Sequence, residues 1–433
     1  MAIQRPIGFS PWEISAMINE EVVTQHAEEA AFLWILRDNA VSAPHYSLKD
    51  LAGLDERVEA HIDGLCIAGQ FGWKTCESAL ESNGPGEVFA AAVLAFESDD
   101  TERIRKVLEV GISSPKLERP LVSAMGWIPF DRIENIFKEL LQSEHPEIRR
   151  VGIAAYAVNR KEPGLALSQA VSDQNSQLRA RALRVAGELG RTDLLSTVMQ
   201  SSSDPDAYCR FNAAWSSARL GMRSEQVIAG LKMFTEQTGP NAECAMGMVL
   251  RCMELPHAKE WLQTLGSNPD LLRFSVIGVG FLGDPELIDH LIACMEDEKI
   301  ARVAGEAFSM ITGVDLAYQD LDQDQPEGFE SGPSEEPEDE DVALDKDEDL
   351  PWPAPALISK WWAENRKNFR FGRRYLMGKE ISKDSLMDTL RHGKQRQRLA
   401  AALELGLMEP KRLMFETRAP GKRQMQEMGL WTS

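Results

Sequence analysis

The 433-residue chain holds 68 acidic against 47 basic side chains, and its formal charge of −21 makes the average surface repel phosphate backbones and anionic membranes. Nucleic acid is therefore disfavoured as a partner, and no apolar run approaches the roughly eighteen residues that a membrane span needs. The cysteines (Cys66, Cys76, Cys209, Cys244, Cys252, Cys294) lack CxxC spacing, which fits reduced thiols in helix cores better than a zinc site or a disulfide framework.

The opening MAIQRPIGFSPWEI has neither a basic n-region nor an apolar h-region, so the sequence places the protein in the cytoplasm. Residues 1–54 are expected to form an N-terminal helical cap. From residue 55 to 318 one motif recurs: a turn residue, often proline, then an arginine, then an apolar helix closed by glycine. It is plainest in HPEIRRVGIAAYAVNR from His145, DPDAYCRFNAAWSSARLG from Asp204 and NPDLLRFSVIGVGFLG from Asn268. SQLRARALRVAGELG from Ser176 keeps all but the proline.

With Arg149 as the anchor, equivalent positions fall at Arg57, Glu87, Arg119, Arg149, Arg179, Cys209, Glu243, Arg273 and Arg302, spaced 29 to 34 residues apart. Arg210 stands beside Cys209 and serves as the anchor there. Five residues on, the side chain is usually small (Ala92, Ala124, Ala154, Ala214, Gly278, Ala307), which lets a neighbouring helix approach closely; Ile62, Arg184 and Met248 depart. Pro146, Pro205 and Pro269 are placed to open the first helix, where a missing N–H costs nothing. Gly190, Gly221, Gly283 and Gly313 are placed to leave it through a left-handed turn. A second amphipathic stretch follows, with Thr192 or Asp284 as its cap and Pro285 in its first turn. Each unit reads helix, turn, helix, and such hairpins bury their apolar stripes only by stacking.

Residues 319–350 break the rhythm. Asp320 to Asp349 holds fifteen acidic residues against Lys346, with three prolines and few large apolar side chains, and is expected to be a disordered acidic linker. Residues 351–433 carry a net +9 and are expected to form a basic helical segment. Within it, KQRQRLAAALELGLMEP repeats the pattern at Arg396, Ala401 and Gly406 and reads as a degenerate terminal repeat that caps the array. LISKWWAENRKNFRFGRRYL interleaves aromatic and basic residues, which makes Trp361, Trp362, Arg373 and Arg374 the candidate binding residues. Packing of this amphipathic stretch onto the array is the preferred reading. The acidic linker could also lie across the basic segment and screen it.

The string GVGFLG, with Gly278, Gly280 and Gly283, matches a dinucleotide-binding pattern but lies along and at the end of a repeat helix, with no strand before it. None of the seven histidines joins another ligand type at metal spacing, no GxSxG, HExxH or P-loop string appears, and no cofactor is expected. The anchor arginines Arg119, Arg149, Arg179, Arg210, Arg273 and Arg302 could grip an acidic partner. Given the surrounding negative charge, a structural ladder that pairs them with turn residues is preferred.

Period and pattern over roughly residues 55–316 resemble HEAT repeats of the short bacterial kind; no TPLHxA or regular WxxLGxxY string is present. The fold class expected is all-α, a HEAT-like helical-repeat solenoid with about nine hairpins, an acidic insertion and a C-terminal capping segment. PHYSLKDLAGLDERVEAHIDGLCIAG from Pro44, EAFSMITGVDL, and RQRLAAALELGLMEPKRLMFETRAPGKRQ from Arg396 resemble a family of uncharacterised bacterial HEAT-repeat proteins. Its members are often associated with type VI secretion gene clusters. That resemblance implies no reaction and an accessory role, with a secretion effector or spike component as the protein partner. The leading reading is a non-enzymatic scaffold or adaptor. Its rivals are an immunity-type inhibitor of a basic toxin, and a HEAT-like enzyme of the lyase or glycosylase kind.

Overall fold

The computed structural model describes residues 19–329 and 345–430. The opening MAIQRPIGFSPWEI and the centre of the acidic stretch therefore lie outside the described residues. In chain order the helices begin with α1 Glu20–Ala40, α2 Leu48–Ala68, α3 Gln70–Ala79, α4 Pro85–Ser98, α5 Thr101–Gly111, α6 Pro115–Trp127, α7 Phe130–Leu141 and α8 Pro146–Val158. Next come α9 Leu165–Ala170, α10 Ser176–Glu188, α11 Leu195–Gln200, α12 Ala207–Arg219, α13 Glu225–Glu236, α14 Ala242–Cys252, α15 Leu255–Gly266, α16 Leu272–Leu282, α17 Ile288–Cys294 and α18 Ala301–Thr312. The C-terminal part holds α19 Pro355–Asn365, α20 Lys383–His392, α21 Gln395–Met408 and α22 Gly421–Glu427. The only strands among the described residues are four two-residue pieces, β1 Asp322–Gln323 with β2 Trp352–Pro353, and β3 Tyr375–Leu376 with β4 Lys379–Glu380. The protein is thus an all-α helical-repeat chain of the solenoid class.

The first and second helices of a repeat differ because their sequences do. Two first helices are buried along most of their length: in α4 every residue from Val88 to Phe96 is buried, and in α12 every residue from Phe211 to Arg219. Such a helix must be covered on all sides. Second helices carry one stripe. In α7 it is Ile133, Ile136, Phe137 and Leu140, the i, i+3, i+4, i+7 spacing of a single face, and each full burial of such a side chain stabilises by about 1.5–3 kcal/mol.

The glycine exits stand as the sequence predicts, with φ +68° at Gly190, +100° at Gly221, +77° at Gly283 and +74° at Gly313. Pro146 is the first residue of α8. Pro205 instead precedes the cap of α12, where the Asp206 carboxylate accepts from Cys209 N–H at 2.9 Å, and Pro269 opens a short 3-10 turn before α16. Asp284 caps as expected, accepting from Glu286 N–H at 3.0 Å, whereas Thr192 lies inside a 3-10 turn and caps nothing. Small residues allow close approach: a Cβ on Gly280 of α16 would stand 3.0 Å from Ala307 Cα of α18.

The helices divide into two compact units. One takes in the described residues up to Val41, Lys49–Lys161 and those from Arg418 onward; the other takes in Ser42–Leu48 and Glu162–Thr417. The repeat rhythm alone does not mark that division. In the first unit, Trp34, Phe89 and Trp127 form an aromatic core with rings 5.1 and 5.2 Å apart. In the second, the core runs from Phe211 through Leu316 to Trp362 and Met414, so the C-terminal segment is part of the packing that buries the repeat helices.

Candidate functional site

Three of the six anchor arginines share one geometry. Arg149, Arg179 and Arg210 are each the fourth residue of their helices, α8, α10 and α12. From there Nη1 reaches back to two carbonyls of the preceding turn. Arg149 donates to Ser143 O and Glu144 O at 3.0 Å each, Arg179 to Asp173 O and Gln174 O at 2.6 and 3.2 Å, and Arg210 to Asp204 O and Pro205 O at 2.8 and 2.9 Å. Arg210 fills the anchor role that position 209 lacks. Arg179 also grips Asp204, in the turn of the following repeat, through Nε at 2.7 Å and Nη2 at 2.9 Å. That fork holds the Asp204 carboxyl below the usual carboxylate range.

The other anchors are ion-paired: Arg119 with Asp38 at 2.8 Å, Arg273 with Asp347 at 2.6 Å and Arg302 with Asp345 at 2.7 Å. Arg302 also lies over the Trp352 ring, 4.6 Å from its centroid. Gripping an external acidic partner would require breaking these internal contacts. Asp345 and Asp347 belong to the stretch expected to be a free acidic linker, yet both pair with array arginines. Their neighbours fold back too: Ala354 N–H donates to Leu321 O at 2.9 Å beside the β1–β2 pair.

Within the second unit, the C-terminal segment runs along the ends of the first helices. Tyr375 N–H donates to Gly283 O at 2.7 Å, Met377 N–H to Met310 O at 2.9 Å and Met414 N–H to Glu188 O at 2.9 Å. These carbonyls lie in the last turns or just past the ends of α16, α18 and α10, where the helix supplies no internal donor. Arg374 caps α16, donating to Leu282 O at 2.8 Å, and it pairs with buried Glu404, which lies 3.1 Å from Arg251 Nε. Burial lowers the pKa of Arg251, and the Glu404 charge opposes that shift. Arg219 and Arg223 reach outward from the repeats to Pro410 O and Leu407 O. Gly406, which the sequence suggests as a repeat exit, sits inside α21 against the Arg219 guanidinium.

The four candidate binding residues consequently part company. Trp362 is buried against Phe369, Trp361 packs edge-on to Phe308, and Arg374 is the helix cap just described. Arg373 alone is exposed, at 63% of its side-chain surface, 3.6 Å from Glu380. The string GVGFLG follows α16 to its exit, as the sequence reading holds; a Cβ on Gly278 would meet Leu262 at 2.6 Å, so the glycine serves packing.

Some relationships carry no sequence signal. His26 and His61, 35 residues apart on α1 and α2, face each other with Nδ1 atoms 3.1 Å apart. Burial first, then the His26 charge, lowers the pKa of His61. Cys76 and Cys209 are core thiols, each pushed up to about 12 by burial, but Cys66 and Cys244 are at the surface rather than in helix cores. Cys244 lies 3.8 Å from Arg184, whose guanidinium lies over the Trp215 ring at 3.4 Å; the large residue at that usually small position is accommodated by stacking.

Residues 165–251 match the sequence family described as HEAT repeats, which supports a HEAT-repeat protein and covers less than half of the chain. The matched span runs from α9 to the end of α14. HEAT repeats generally mediate protein–protein interaction. No curated protein matches the chain. No described helix is long and apolar enough to cross a membrane.

Proposed function

We propose that this protein is a non-enzymatic protein-binding scaffold or adaptor, accessory to type VI secretion in the handling of an effector or spike component. The carrying observation is the HEAT-repeat match over residues 165–251, set within stacked helical pairs whose anchor arginines are engaged in holding the stack itself. Helical repeats of this kind offer partners an extended surface made of successive second helices and turns. The secretion context is supported by the sequence resemblance alone. The partner meets the outward faces, since first helices such as α4 and α12 are covered on all sides.

The test is capture by the tagged full-length protein after crosslinking in its native cell, followed by rebinding of each captured protein, purified, by calorimetry. At least one, encoded near secretion genes, is expected to bind directly with micromolar or tighter affinity. If none binds directly, the scaffold reading fails; if one binds and is unrelated to secretion, only the narrower assignment fails.

A further inference from the structure

We propose that the loop Arg366–Arg373 is a docking surface for an acidic polypeptide segment of a partner protein. The proposal rests on the protein-binding reading above and assigns to it a place and a partner chemistry. In a chain of net charge −21, eight consecutive positions here hold Arg366, Lys367, Arg370 and Arg373, all exposed. Among the described residues no carboxylate lies within ion-pair distance of Arg366, Lys367 or Arg370, and Arg373 has only the largely exposed Glu380 at 3.6 Å. Glu364, one turn back on α19, is the other carboxylate nearby in sequence, and it too is exposed.

The inner side of the loop is built to hold this cluster out. Phe369 points inward and packs between Trp362 and Tyr375, with ring centroids 5.4 and 5.1 Å away. The Tyr375 hydroxyl accepts from Arg370 N–H at 2.9 Å, and Tyr375 N–H donates to Gly283 O at 2.7 Å. Arg374 is fixed on the carbonyl end of α16. Gly372, at φ +74°, makes the turn between inward Phe369 and inward Arg374. The outward residue between them is Phe371, half exposed with Arg366 5.9 Å from its ring centroid. Four exposed cations within eight positions, one of them beside an exposed ring, repel one another, and an anionic ligand relieves that repulsion.

The ligand chemistry follows from the extent of the patch. Eight residues offer a footprint of a few side chains, enough for a short carboxylate-rich segment with one apolar residue for Phe371. A nucleic acid long enough to bind well would run from the patch onto a surface that is acidic on average, losing there what it gained. Arg-rich recognition of acidic motifs with an apolar contact is an established mode of peptide binding.

The test uses the full-length protein and two fluorescent probes, a peptide of alternating Glu and Leu and a single-stranded oligothymidine of equal charge, titrated at low and moderate salt. The peptide is expected to bind, to weaken at least tenfold between low and moderate salt, and to lose at least tenfold in affinity in the variant Arg366→Glu/Lys367→Glu/Arg370→Glu/Arg373→Glu. A milder variant, Lys367→Ala/Phe371→Ala, which alters only exposed side chains, is expected to weaken binding several-fold with an unchanged circular dichroism spectrum. Peptide binding that is absent, or unaltered in both variants, overturns the proposal. So does tighter binding of oligothymidine than of peptide. These outcomes leave the capture experiment untouched, so the loop can fail while the scaffold stands.

Discussion

Asp55 binds Arg37 with one carboxylate oxygen, accepting from Nε at 2.8 Å, and accepts from Gly421 N–H at 2.6 Å with the other. Both side chains are almost completely buried, and Arg37 Nη2 continues to Ala419 O at 3.0 Å. Residues separated by more than 360 positions are thus tied by one carboxylate. Removing one member of such a buried pair strands the other, at a cost of about 3–5 kcal/mol. Asp55→Ala is expected to destabilise the first unit by that order and to speed hydrogen exchange in α22 more than in α7. Asp55→Asn, which keeps one acceptor, should lose less. Equal exchange in both helices would show that this carboxylate does not hold the C-terminal residues.

Arg179 is the best-connected of the anchors, since it bonds both its own turn and the next. Arg179→Ala is expected to cost about 1–3 kcal/mol, by loss of charge-assisted bonds to Asp204 and of two carbonyl partners. Lysine should rescue little, because it has no planar fork. The pH dependence has a fixed sign. The Asp204 carboxyl is held below its ordinary value in the folded state, so its contribution is full above the unfolded pKa near 4 and disappears as pH falls through the folded one. Denaturant midpoints of wild type and Arg179→Ala should therefore converge on acidification below about pH 4.

Gly283 and Gly164 separate two reasons for a glycine. Both have positive φ, but Gly283, at φ +77° and ψ +22°, lies in the left-handed helical region, whereas Gly164, at φ +63° and ψ −132°, lies in one open to almost no residue but glycine. A Cβ at Gly164 would meet nothing within 4 Å, but one at Gly283 would run into the Tyr375 carbonyl oxygen. Gly164→Ala is expected to cost about 1–3 kcal/mol through its own backbone and to leave hydrogen exchange in β3 unchanged, whereas Gly283→Ala should displace β3 and speed exchange there. Unchanged exchange at Tyr375 in Gly283→Ala would mean that β3 accommodates the methyl group.

The His26–His61 contact makes the first unit acid-sensitive. Two imidazoles facing through Nδ1 need one donor and one acceptor, so protonating both sets two N–H groups against each other. His61 is lowered from its ordinary value by burial and by His26; nearby Glu29 raises it and Arg57 lowers it further. With the folded pKa below the unfolded one, the unfolded chain binds more protons in the window beneath about pH 6.5, and stability falls as pH drops through it. The thermal midpoint of wild type is expected to fall further between pH 7.5 and pH 5 than that of His26→Gln. Parallel pH profiles would remove the pair as the cause.

Local chemistry made most of the repeat legible. Arginine, small residue and glycine at fixed offsets need only helix geometry and turn stereochemistry, so Gly190, Gly221, Gly283 and Gly313 could be placed from the sequence alone. Contacts between distant segments have no such period. Gly406 imitates a repeat exit because glycine also serves close packing, here against Arg219. Trp362 and Arg374 look like binding residues because aromatic–basic interleaving is the same whether the cations face water or cap a helix. Only the fold sets Arg374 against the end of α16 while Arg373 faces solvent. The acidic stretch misled at its ends for a related reason: composition averages over thirty residues, whereas Asp345 and Asp347 each meet one arginine.

Arg219 is where the C-terminal segment should be most easily released. The side chain is fully buried, donates to Pro410 O at 3.3 Å and to Arg412 O, and fills the space left by the missing side chain of Gly406. Arg219→Ala leaves these carbonyls without that donor and opens a void, together worth about 3 kcal/mol. Arg223→Ala removes one partly buried bond to Leu407 O at 3.1 Å and should cost nearer 1 kcal/mol. Trypsin reports the difference directly, because Lys411 and Arg412 lie within the segment these arginines hold. When opening is fast relative to cleavage, the rate follows the open population, so the Arg219 variant should be cut there roughly a hundredfold faster than wild type and the Arg223 variant only several-fold faster. Cleavage at wild-type rate in Arg219→Ala would show that Met414 N–H on Glu188 O, with the apolar packing of Leu407, is sufficient to hold the segment.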